Sequence, residues 1–231
     1  MSRQEKLAAL ASTGVTKAEL DNIDGGTARG TTAIADGDGV LINDAGTMRM
    51  TSVETMATYI GTKITGGSLV YIASSGAISN AASVSFTQFD ASKYDYYKFS
   101  ILNVTPGNDG EHLLAQVSTD GGSNYDSTNG NYHWNATSDA SGLFVAYNVG
   151  GSTGEACTGE WNLMAPHLTG YTYGIGTMAA LGQNLNVKGS SANYSWGVHL
   201  VEADVDAIKF IFNAGNIASG EIVMYGIANG T

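Results

Sequence analysis

The sequence predicts a mainly β protein, with a small α/β assembly region at the N-terminus followed by an antiparallel, jelly-roll-like β-sandwich. Three observations carry that expectation. Period-two apolar runs recur along the chain, at "SVSFTQF", "YYKFSILNV", "HLLAQVS", "GLFVAYNV", "AIKFIF" and "EIVMYGI", and such alternation marks half-buried strands. Gly, Asn, Asp and Ser clusters separate the runs, and 31 glycines stand against 2 prolines, as expected of short strands joined by tight turns. The convincing helix signals fall before residue 65, with only a weak one later, at "GIGTMAALGQ".

The elements follow in order. Ser2 and Glu5 have the spacing of a capping box, in which each side chain satisfies the other residue's free backbone N–H; the helix they open runs through Ala11 and stops before Gly14. Thr16 and Glu19 repeat the box before a short helix, "KAELDNI", which Gly25-Gly26 ends. "GVLIND" and "TMRM" read as strands about an Asp44-Ala45-Gly46 turn. Thr51 and Glu54 form a third box, and Val53, Met56, Ala57, Ile60 and Ile64 lie on one stripe of the helix behind it. Elements this short bury little alone and gain stability by packing on copies or partners. Leu7, Leu10, Val53, Met56 and Ile60 are therefore candidate oligomerisation or docking residues. The boundary is expected near residue 65, giving regions 1–65 and 66–231. In the second, Tyr97, Phe99 and Ile101 share one strand face and Tyr96, Lys98 and Ser100 the other; Ile208, Phe210 and Phe212 also share a face.

Charge narrows the function. The net charge is −11 with only 10 Lys+Arg, which disfavours nucleic acid, whose binding needs a basic track to displace counterions. An anionic membrane surface would repel the chain too, and no apolar run approaches the ~20 residues of a spanning helix. Most of the acidity lies in 66–231. A single cysteine, Cys157, excludes an intrachain disulfide framework and any multi-cysteine metal site. The charged start "MSRQEKLAAL" lacks a signal-peptide core, so assembly in a cytoplasm is expected.

One stretch raises a catalytic question. "STDGGSNYD", Ser118 to Asp126, holds two carboxylates in nine residues. Its Ser118-x-Asp120-x-Gly122-x-Asn124-Tyr125 pattern resembles the Asp-box hairpin turn of sialidases, in which the Asp accepts backbone hydrogen bonds away from the active site. The turn reading also stands on the residues, since Gly121-Gly122 supplies positive φ and Asp120 can bond its own backbone. A structural cation held by Asp109, Asp120, Asn124 and Asp126, and a glycosidase-type carboxylate pair, are the sharper alternatives; the turn is the expectation. His112, His133, His167 and His199 show no zinc spacing, and Cys157 is flanked by Glu155 and Glu160 rather than by a positive setting. No catalytic residue, metal or cofactor is expected. Among the aromatics, Tyr94, Tyr96, Trp134, Trp161 and Trp196 are candidate glycan contacts, with packing in the core or between subunits as the plainer reading.

Two segments resemble bacteriophage virion appendage proteins. "LAALASTGVTKAELDNIDG" (Leu7 to Gly25) and "DGDGVLINDAGTMRMTSVETMATYI" are similar to segments of phage tail fibres. "YDYYKFSILNVTPGNDGEHLLAQVSTDGGSNYD" and "GNIASGEIVMYGI" resemble a second phage structural module. The resemblance implies a non-enzymatic homotrimer in the virion, a short tail fibre or adhesin-like spike, docking on other virion proteins by its N-terminal part. The sandwich would face a host-surface glycan. A capsid head fibre or decoration protein is the alternative.

Overall fold

In the computed structural model the chain forms two compact units, Met1–Lys63 and Ile64–Thr231. The structure describes residues 33–63, 69–134, 137–182, 186–187 and 194–228, together with Ser2, Gln4, Glu5 and Gly14. Leu7, Leu10, Ile64 and the Thr16–Glu19 box lie outside the described residues.

In the first unit, Ser2 and Glu5 do form a capping box: the Ser2 N–H donates to Glu5 Oε2 at 2.5 Å, and the Glu5 N–H to Ser2 Oγ at 3.2 Å. Strands β1 (Gly39–Asp44) and β2 (Thr47–Ser52) pair antiparallel, closing Asp44 on Thr47. Ala45 and Gly46 both take positive φ, 49° and 93°, the twist that a two-residue hairpin turn requires. Helix α1 (Val53–Lys63) follows. Its cap is one residue later than the sequence spacing suggests: Ser52 Oγ, not Thr51, accepts the Thr55 N–H at 3.1 Å. Thr51 is still paired in β2, with Val40, so the strand delays the helix by one position. The carbonyls of Asp36 and Asp38 take the next free donors, those of Glu54 and Val53. Val53 and Met56 are half-buried and Ile60 is 49% exposed. No described residue of residues 33–63 is buried.

Among the described residues of the second unit every strand pairing is antiparallel. Its first strands are β3 (Leu69–Ser74), β4 (Ile78–Ala81), β5 (Val84–Phe86), β6 (Tyr94–Pro106) and β7 (Glu111–Ser118). There follow β8 (Tyr132–Trp134), β9 (Thr137–Ala140), β10 (Leu143–Val149), β11 (Cys157–Met164) and β12 (Thr172–Gly182). The last are β13 (Asn186–Val187), β14 (Tyr194–His199), β15 (Ala207–Phe212) and β16 (Ile217–Ala228). A four-stranded sheet runs β10-β7-β15-β5. A ten-stranded sheet runs β3-β16-β6-β11-β12-β14-β8-β9, with β13 on β12 and β4 on β16.

The two inner faces enclose one core. Phe99 of the large sheet meets Phe210 of the small one at 5.0 Å between ring centroids, and Phe86 and Trp161 join them. The Trp161 indole N–H donates across the core to the Phe144 carbonyl at 3.2 Å. The weak helix signal at "GIGTMAALGQ" is overturned, because Gly174 to Gly182 belong to β12, whose burial alternates at every position from Thr172 to Ala180. The physical reason is Trp161. A Cβ on Gly174 would lie 2.1 Å from its ring, so glycine at period two makes room for the indole where a helix would turn the chain away. No described helix is long and apolar enough to cross a membrane.

Candidate functional site

Ser118 to Asp126 is a closed hydrogen-bonded turn. The Ser118 hydroxyl donates to Asp120 Oδ1 at 2.9 Å and accepts the Gly122 N–H at 2.9 Å. Asp120 Oδ1 also accepts the Asn124 N–H at 2.8 Å, and Asp120 Oδ2 the Asn124 amide at 2.7 Å. Gly121 and Gly122 hold φ of 72° and 83°, and a Cβ on Gly122 would meet the Thr87 methyl at 2.7 Å. The backbone N–H and then the side-chain amide of Asn124 hold the Asp120 carboxyl below its usual range. Both oxygens of this carboxylate are spent as acceptors within the turn.

The second carboxylate has a different partner. Asp126 Oδ2 lies 2.9 Å from His199 Nε2 and accepts the Asn131 amide at 2.7 Å, while Oδ1 accepts the Thr128 N–H at 2.9 Å. Burial alone would push the Asp126 carboxyl up. The hydrogen bonds from His199, Thr128 and Asn131 outweigh it and hold the group at about 2. The Tyr132 ring packs on the imidazole at 4.8 Å, and its hydroxyl donates to the Asp126 carbonyl at 2.8 Å. Asp120, Asn124, Asp126 and His199 line a cleft of about 310 Å³. His199 is 1% exposed, so its ring supports the loop from below, and a general base must reach its substrate. Asp109, the remaining oxygen donor considered for a cation, accepts the Gly151 N–H. Among the described residues no group of three His, Cys, Asp or Glu side chains converges. Cys157 is fully buried, donates to the Val104 carbonyl, and burial pushes its thiol up to about 12, the reverse of an activated nucleophile.

The candidate glycan residues are separated by the sheet. Trp161 is 0% exposed and cannot touch a glycan; it is paired with inward Phe99 across β6, and that parity fixes it in the core. Trp134 stacks on Phe144 at 4.5 Å, and Tyr94 packs partly buried against the core. Tyr96 and Trp196 stand on the outer face of the large sheet, in two neighbouring rows that the register makes explicit. One row reads Tyr71, Tyr225, Lys98, Asn162, Ile175, Trp196 across β3, β16, β6, β11, β12 and β14. The next reads Leu69, Ile227, Tyr96, Met164, Tyr173, Val198 over the same strands. Tyr71, Tyr173, Ile175 and Trp196 are 61, 54, 50 and 49% exposed. Ile175, Met164 and Tyr225 were not singled out from the sequence. Strand parity is the signal that finds them: once Phe99 and Trp161 face inward, the residues next to them along each strand must face out, and their paired partners with them.

No protein-family model matches this chain, and no curated protein matches it.

Proposed function

We propose that this chain is a non-enzymatic structural protein of a tailed-bacteriophage virion, a short tail fibre or adhesin-like spike that works as a homotrimer. One observation carries the assembly part: among residues 33–63 no described side chain is buried, while Leu41, Met48, Met50, Tyr59 and Ile60 are each 49% exposed or more. A unit with that surface is stabilised by what it packs on. The first unit docks on a virion protein and on its own copies, and the second, a sandwich of jelly-roll type, projects toward the host surface. Contact there is weak per site and strengthened by several copies acting together. The phage assignment itself rests on the sequence resemblance. A non-enzymatic role is favoured because Asp120 is tied into its turn and His199 is covered.

Particle imaging with an antibody to this chain tests the reading: label at the tail supports it, label on capsomer centres supports the head-fibre alternative, and an unlabelled virion rejects both. Host polysaccharide shortened by the wild-type chain but not by Asp120→Ala would replace it with a depolymerase.

A further inference from the structure

Two neighbouring rows on the outer face of the large sheet leave Leu69, Tyr71, Met164, Tyr173, Ile175 and Trp196 exposed. We infer that this face packs against other copies of the same chain, closing about the symmetry axis of the oligomer. The inference rests on the homotrimer reading above and deepens it, by giving the second unit an interface of its own.

Size is the first argument. Five strand spacings of ~4.8 Å make each row about 24 Å wide. Taking roughly 200 Å² per large side chain, the exposures of Leu69, Tyr71, Met164, Tyr173, Ile175 and Trp196 leave on the order of 600 Å² uncovered. That stands at the top of the ~300–600 Å² range of the largest patch on an ordinary monomer and is about three quarters of the ~800 Å² that each partner gives to a stable interface.

Charge is the second. The chain carries −11 overall, so two copies repel through most of their surface. Among the described residues of the two rows Lys98 is the single Lys, Arg, Asp or Glu, and Glu160 beside it neutralises it at 2.7 Å. Across these two rows copies meet without like charges opposed.

Polar satisfaction at the centre of the rows is the third. The Asn162 amide donates to the Ile175 carbonyl at 3.3 Å, and the Thr158 hydroxyl to the Ile101 carbonyl at 2.9 Å. A glycan site needs donors and acceptors free to meet hydroxyls; here the amide, the ion pair and this hydroxyl are already engaged. Such a face can be dried by an apolar partner without stranding those groups. Tyr96 and Trp196 are thereby assigned to subunit packing, and host contact falls to loops and sheet edges.

Sedimentation of the full chain at micromolar concentration, paired with acrylamide quenching of tryptophan, tests the inference. Trp161 is buried and Trp134 half-buried, so quenching reports chiefly on Trp196. The wild type should sediment as an oligomer with Trp196 shielded. Ile175→Asp, at a half-exposed position, should weaken association about 100-fold and open Trp196 to quencher, with far-UV circular dichroism unchanged. Tyr173→Asp serves if that variant misfolds. An oligomer that survives both substitutions yet dissociates with Ile60→Asp keeps the homotrimer and overturns this face. A monomeric wild type overturns both. Oligosaccharide binding lost in Ile175→Asp with assembly intact overturns the inference in favour of a sugar.

Discussion

Asp126→Asn isolates the contact that ties the Ser118–Asp126 loop to the sheet. The carboxyl of Asp126 is held at about 2 against an ordinary 3.8, and its side chain is only 20% exposed. At ~1.4 kcal/mol per pKa unit, that depression contributes about 2 kcal/mol to stability near neutral pH. The sign follows from the direction of the shift. A folded-state pKa below the unfolded value stabilises the fold above the unfolded pKa, and the contribution is lost as pH falls toward the folded one. Asparagine keeps the size and can still accept one hydrogen bond from His199, but it cannot accept from all of its present donors through charged oxygens. Urea unfolding of the variant and the wild type should therefore differ by about 2 kcal/mol near pH 7. The gap should shrink steadily below about pH 4 and close near pH 2. A gap of the same size at both ends of that range would refute the account, because the loss would then lie in packing rather than in the ionised carboxylate.

Gly174→Ala places a Cβ 2.1 Å from the Trp161 ring and should cost at least about 1–3 kcal/mol; adding Trp161→Phe should recover part of that, read as a non-additive cycle in thermal unfolding. Cys157, fully buried with its thiol pushed up to about 12, should resist a thiol reagent in the native chain and react at the rate of unfolding. Asp120→Ala removes the acceptors for Asn124 and Ser118; it should lower Tm and loosen the loop, seen as faster proteolysis between β7 and β8.

Local chemistry was readable where the physical cause is local. The Ser2–Glu5 box, the Ala45-Gly46 turn and the Asp120 turn each follow from residues within five positions of one another, and the structure shows all three. Two local readings failed for tertiary reasons: β2 delays the start of α1 to Val53, and Trp161 converts a weakly helical stretch into β12. The sequence alone settled the mainly β class, the acidic balance and the parity of strands such as Tyr94–Pro106. Which parity faces inward, and hence that Trp161 lies in the core while Tyr173, Ile175 and Trp196 share an outer face, depended on pairings between separate strands, such as Trp161 with Phe99 and Ile175 with Trp196, and on the sheet that covers one side of them. The same holds for Asp126 and His199, 73 positions apart. Alternation fixes which side chains go together; only the opposing sheet, by removing one face from water, decides which set becomes core.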